Sequence, residues 1–245
     1  MVAAASIGAL IGFFGVGGSS IATPLCSVLG VPGLLAIASP LPATVPAAIL
    51  AAGPYLRQRE ARPHAAAWSL VGGLPAAVLG AMLSKIVGGA TLLIASGVVL
   101  MVVGLLVIRS VQETHRRVGT ARRKNRPVLV AAAAGVGLFT GLLANGGGFL
   151  LVPMYLLLFG LDMREAVGTS LLVIAVLAIP TLATHWALGH IDWSVAAAFA
   201  LGAVPASAIS ARLAHQVTGA TLRRAFGLSL IGFGLAFVIY RLVGG

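Results

Sequence analysis

Between residues 128 and 160 the sequence runs for 33 residues without a charged side chain, and Asn145-Gly-Gly-Gly148 stands in the middle of that run. A straight helix of this length would reach about 50 Å at 1.5 Å per residue, well beyond the roughly 30 Å of a bilayer's hydrocarbon core. An interior Gly costs a helix about 1 kcal/mol relative to Ala, and an interior Pro about 3. The spacing predicts a break at Asn145–Gly148 with a shorter helix on either side. Pro153 then falls in the first turns of the second helix, where a missing N–H costs least. Unpaired backbone in hydrocarbon costs several kcal/mol per group, so such a break survives only inside protein or beside a wet cavity.

The run is one of eight apolar segments, approximately 2–30, 35–55, 65–84, 90–108, 128–160, 166–187, 193–211 and 220–240. Only 9% of the 245 residues are charged, and 59% are hydrophobic. A soluble domain carries about 25% charged residues, so polar side chains are too few here to cover a water-facing surface. The expected fold is an all-α polytopic membrane protein. The net charge of +11 would suggest nucleic acid in a soluble chain, but its location argues otherwise. Ten of the sixteen basic residues lie in two loops: Arg57, Arg59 and Arg62, then Arg109, Arg116, Arg117, Arg122, Arg123, Lys124 and Arg126. Basic clusters flanking apolar segments mark the cytoplasmic side and can attract anionic lipid headgroups at the linker; no nucleic-acid partner is expected. A single cysteine, Cys26, excludes an internal disulfide. Five scattered histidines do not make a metal site, and no cofactor is expected. The residues Met1–Ser6 lack the basic region of a cleavable signal peptide.

The chain also repeats itself. At an offset of 130 residues Gly30, Ala36, Leu41, Ile49, Gly72, Pro75, Ala76, Leu83, Gly97, Leu100 and Gly104 recur as Gly160, Ala166, Leu171, Ile179, Gly202, Pro205, Ala206, Leu213, Gly227, Leu230 and Gly234. The run Gly89-Ala-Thr-Leu92 returns as Gly219-Ala-Thr-Leu222. Upstream the offset is 129, so Gly12, Gly17, Gly18 and Pro24 match Gly141, Gly146, Gly147 and Pro153. The reading is a first repeat at 1–108, a basic cytoplasmic linker at 109–127 and a second repeat at 128–245, each with a Gly/Pro-broken first segment. Equivalent loops carry opposite charge patterns: Arg57–Arg62 correspond to Ala187–Asp192, which contain no Lys or Arg. That anticorrelation is what inverted repeats predict. If segments 1 and 5 return to their starting side, 14 of the 16 basic residues become cytoplasmic.

Each break presents a half-helix N-terminus whose free N–H groups and positive dipole end favour an anion, as in the discontinuous helices of secondary transporters. The expected substrate-binding residues are Gly17, Gly18, Ser19, Ser20 and Thr23 at the first break and Asn145, Gly146, Gly147 and Gly148 at the second. Thr169 and Ser170, with Ser39 at the equivalent place in the first repeat, join them from the following segment. Asp162 and Glu165 have the spacing of a capping box at the start of that segment. His185 is the one titratable residue inside a late segment and a candidate for coupling. Arg57 and Arg212, at segment ends, are candidates for gating an anion entrance.

The pattern G-x-x-x-G-x-x-x-x-G-G-G-F-L-x-V-P at 137–153, followed by Ala166-Val-Gly-Thr-Ser-Leu171, resembles the TauE/SafE sulfite exporter family. The first half departs from it at Ser19 and at Ser39-Pro40. The resemblance implies a multi-pass protein of a bacterial or archaeal cytoplasmic membrane that moves a small sulfur-containing anion such as sulfite, sulfoacetate or a related organosulfonate. A carrier of another small organic anion, or an anion channel, is the alternative. A homo-oligomer is compatible with this reading. Intramembrane Asp pairs, Ser–His pairs and H-E-x-x-H motifs do not occur, so the chain is not expected to be an enzyme. Single cysteines at Arg57 and Arg223 should react with an impermeant thiol reagent from the same side of the membrane; opposite sides would eliminate the inverted arrangement.

Overall fold

The computed structural model describes residues 2–17, 22, 33–83, 98–109, 126–143 and 148–244. Every regular element among them is helical. In chain order these are α1 (Val2–Phe14), α2 (Gly33–Ala38), α3 (Leu41–Arg57), α4 (Pro63–Leu83), α5 (Val98–Arg109), α6 (Arg126–Leu143), α7 (Gly148–Leu158), α8 (Met163–Ala187), α9 (Trp193–Leu213) and α10 (Gly219–Gly244). A 3₁₀ turn at Ala214–Gln216 follows α9. By length and composition Pro63–Leu83, Met163–Ala187 and Trp193–Gln216 can each cross a membrane.

The helix α8 occupies the centre: Val167, Gly168, Thr169, Ser170, Leu171, Val173 and Ile174 are all buried. Around it lie α3, α4, α7 and α10, while α1 and α6 pack on α9 and α4 respectively. These last two contacts are made through glycine. A Cβ on Gly141 would stand 1.9 Å from the Ala77 carbonyl oxygen, and one on Gly137 2.3 Å from that of Gly73. Likewise a Cβ on Gly8 would lie 2.2 Å from Ala203 O, and one on Gly12 2.2 Å from Ser207 O. Close backbone approach of this kind is how apolar helices associate when lipid removes the hydrophobic drive between them.

The order of these contacts fixes direction. Gly73 meets Gly137 and Ala77 meets Gly141, so α4 and α6 run the same way; α1 and α9 do too. The backbone N–H of Arg62, just after α3, donates to Thr169 Oγ1 near the start of α8 at 3.0 Å. That of Asp192, after α8, donates to Ser39 Oγ just before α3 at 2.9 Å. The helices α3 and α8 are therefore antiparallel. One end of the bundle carries Arg57, Arg62, Arg164 and His215, and will be called the basic face; the other carries His185, His190 and Asp192.

The helix α6 leaves the basic face, and Tyr155 of α7 returns to it, its hydroxyl 2.6 Å from Ser69 Oγ near the start of α4. Thus α6 and α7 start and finish at the same end of the bundle, with 144–147 between them outside the described residues. The helix α1 stops at Phe14, where Gly15 takes φ 62° and donates to Ile11 O at 2.8 Å. This left-handed residue closes the helix and frees the chain from it. Asp162 occupies the N-cap position of α8 without a side-chain cap, and Glu165 pairs with Arg62 instead. The expected capping box is not formed, because an unlike charge across the helix interface outcompetes the local N–H.

Gly141→Ala should lower stability by about 1–3 kcal/mol, the cost of overpacking a closed contact, read as a fall in thermal midpoint in detergent. Gly135→Ala, where a Cβ meets nothing within 4 Å, should leave it unchanged or raise it.

Candidate functional site

Two kinds of local structure build the region around the breaks. The first is the end of α3 and of α8. Arg59 N–H donates to Leu56 O at 3.1 Å and Glu60 N–H to Tyr55 O at 2.9 Å, with Arg59 at φ 58°. At the end of α8, Gly189 N–H donates to Trp186 O at 2.9 Å and His190 N–H to His185 O at 3.0 Å, with Gly189 at φ 71°. Both are Schellman turns, and the paired residues stand 130 positions apart. Such a turn brings the third residue from the helix end against the third residue beyond it. It therefore sets Tyr55 beside Glu60 and His185 beside His190.

The two turns carry different chemistry. The Nδ1 atoms of His185 and His190 lie 3.2 Å apart. His185 is 2% exposed, with its Nε2 unpartnered among the described residues, while neighbouring Trp186 is largely exposed and packs edge-on against Trp193. At the other turn, Glu60 Oε1 lies 3.3 Å from Arg164 Nη1 and Oε2 lies 3.1 Å from His215 Nδ1. The Tyr55 ring sits 4.8 Å from the His215 ring, and its hydroxyl donates to Gly12 O at 3.0 Å. Beyond the His185 end, Asp192 caps α9; the Ser194 hydroxyl with the N–H groups of Val195 and Ser194 holds its carboxyl below the usual carboxylate range.

The second is the break itself. Gly15 packs on Val167, one turn into α8, which places it about 6 Å from the start of that helix at 1.5 Å per residue. Its carbonyl accepts from Ser170 Oγ at 3.0 Å. Gly17 is buried just beyond. A small cavity lies against this turn, lined by Phe14 and Val16, by Phe149 at the start of α7, and by Leu100, Phe226, Ser229 and Phe233. Its volume open to water-sized molecules is ≈ 10 Å³, room for about one water. The end of α1 and the start of α7 thus border one small, phenylalanine-rich space.

The expected binding residues divide accordingly. Ser39, Thr169 and Ser170 are fully buried and engaged with backbone: Thr169 Oγ1 accepts from Arg62 N and donates to Glu165 O at 2.6 Å. Gly148 opens α7, while Gly18, Ser19, Ser20, Thr23, Asn145, Gly146 and Gly147 lie outside the described residues. Arg57 and Arg212 are exposed in the last turns of α3 and α9. Sequence reasoning missed Tyr55, Glu60, Arg164, His190 and His215. The matching five-residue spacing of Tyr55–Glu60 and His185–His190 was the available signal; nothing in the spacing links Glu60 to Arg164 or His215.

The family described as "Sulfite exporter TauE/SafE" matches residues 1–237. A "Probable membrane transporter protein" of Xylella fastidiosa (strain 9a5c) is 29% identical over 250 residues, covering 96% of this chain and 92% of that one. "Probable membrane transporter protein YjnA" of Bacillus subtilis (strain 168) is 22% identical over 247 residues, 95% and 96% of the two chains. YunE of the same organism, likewise named, is 24% identical over 183 residues, 69% and 67%. No solved structure matches.

Thr169→Val and Ser39→Ala each remove the acceptor of a backbone N–H and should cost about 1–3 kcal/mol. Thr169→Ser, which keeps the oxygen, should restore most of that in the same thermal unfolding measurement.

Proposed function

We propose, since the chain belongs to the TauE/SafE sulfite exporter family, that it is a secondary transporter of a small sulfur-containing anion such as sulfite, sulfoacetate or a similar organosulfonate. The anion crosses the cytoplasmic membrane through a site where two interrupted spans meet. The spans belong to two inverted repeats, and the exchange of one repeat's position against the other alternates access to the site.

The observation that carries this reading is the reciprocity of contacts between the two halves. The Arg62–Thr169 and Asp192–Ser39 hydrogen bonds exchange under the 130-residue offset. The Gly8–Ala203 and Gly12–Ser207 contacts exchange with Gly137–Gly73 and Gly141–Ala77 under offsets of 129 and 130. Antiparallel α3 and α8, and the return of α6–α7 to its own face, support inversion and reproduce the loop sidedness that the basic residues require. The cavity bordered by Phe14, Val16 and Phe149 supports a shared site. The start of α7 at Gly148 offers helix N-terminal N–H groups for a negative charge. Neutral donors suit a small oxyanion that must also leave. Ser39, Thr169 and Ser170 serve this site from behind, holding the backbone in place.

Purified protein in liposomes should take up labelled sulfite or sulfoacetate saturably and show counterflow, which a channel does not. Gly147→Leu and Gly17→Leu should insert normally and lose flux. Absence of sulfur-anion flux, or normal flux in both variants, would overturn the reading.

A further inference from the structure

We infer that Glu60, Arg164, His215 and Tyr55 form a lock that closes the basic face and ties down the end of the first interrupted span. The inference rests on the transport reading, because a lock requires a state in which it is open. The cluster joins three separate connections: Glu60 follows α3, Arg164 stands in the first turn of α8, and His215 lies in the turn after α9. Arg164 Nη1 is 3.3 Å from Glu60 Oε1, and Arg164 Nη2 donates to the carbonyls of His215 at 3.1 Å and Val217 at 2.9 Å. One guanidinium therefore holds both other connections at once, through donors on both of its Nη atoms. The side chains of Arg164 and Glu60 are 30% and 20% exposed, so this ion pair is more shielded than an ordinary surface pair. Removing one partner strands the other.

Tyr55 extends the lock to the break. It is fully buried, with its ring on His215 and its hydroxyl on Gly12 O, three residues before the chain leaves α1 at Gly15. Displacement of His215 frees the face of the Tyr55 ring, and withdrawal of Tyr55 releases the last turn of α1. At the opposite end the equivalent turn offers only the single imidazole contact between His185 and His190. Among the described residues the two ends are thus closed by unlike means, and the ionic closure belongs to the basic face alone.

Impermeant thiol labelling tests this without any substrate. In a Cys26→Ser background, Val16→Cys reports on the cavity beside the break, and Gly189→Cys on an exposed site at the far end. From the basic face, Val16→Cys should react slowly, and Glu60→Gln should speed it about tenfold, the change that about 1.4 kcal/mol produces. Tyr55→Phe, which removes one hydroxyl, should speed it in the same direction and carries the test if Glu60→Gln does not fold. Labelling of Gly189→Cys should not change. An unaltered Val16→Cys rate in the folded variants overturns the lock. Further, a Glu60→Cys/His215→Cys disulfide should abolish flux until reduced, and flux through the cross-linked protein overturns it equally. Failure of the transport reading would appear differently, as absence of anion flux in unsubstituted protein with the labelling pattern intact.

Discussion

A chain with this little polar surface must pair its backbone N–H and C=O groups internally, and wherever its helices stop that obligation passes to side chains. Four hydroxyls meet it at the critical places. Thr169 accepts the N–H of Arg62, Ser39 that of Asp192, Ser170 donates to the carbonyl of Gly15, and Tyr55 to that of Gly12. The first three span from one half of the chain to the other, and the fourth ties α3 to α1 within the first half. The ends of α1, α3 and α8 are therefore fixed relative to one another by these hydrogen bonds.

Glycine performs the complementary task along the helix sides. Where α6 meets α4 and α1 meets α9, carbonyl oxygens lie where a Cβ would otherwise stand. This seats an interrupted span of one half against an uninterrupted helix of the other, so that each break is positioned by its partner half. Dispersion between backbones at this distance replaces the hydrophobic drive that lipid removes. Hydroxyls at the ends and glycines along the sides together make the two interlocked pairs into stiff units, joined through α3 and α8.

Much of the helical layout was legible in the sequence because apolar runs and Gly/Pro positions are local signals. The ends of α3, α8 and α9 fall within a few residues of the expected segment limits, and the end of the first helix at Gly15 lies just before the expected glycine break. Side-chain roles were less legible. Ser39, Thr169 and Ser170 read as ligand groups because a hydroxyl that can bind an anion can equally bind an N–H, and only the fold decides which is within reach. Glu60 read as a loop residue far from the interior, yet the Schellman turn folds it back beside Tyr55. Its partners Arg164 and His215 arrive from 104 and 155 residues away, a distance at which no local pattern operates. Glu165 satisfied the spacing of a capping box and was drawn to Arg62 across the interface instead.

The same backbone turn at the ends of α3 and α8 carries Tyr55 and Glu60 in one place and His185 and His190 in the other. On the inverted reading those turns sit at opposite ends of one pathway. Backbone geometry can then be duplicated freely, because it depends only on a left-handed residue, Arg59 or Gly189, following each helix. The side chains the turn juxtaposes are under no such constraint, and here they are a buried tyrosine beside an ion-paired glutamate in one place and an imidazole pair in the other. Two closures of equal strength would give the two access states no built-in preference. Unequal ones bias the equilibrium toward the state that keeps the stronger contact, and any anion that binds the two states differently must work against that bias. On the proposed transport reading, the repeat provides two access states, and the chemical mismatch between Glu60 and His190 biases the resting population toward one of them.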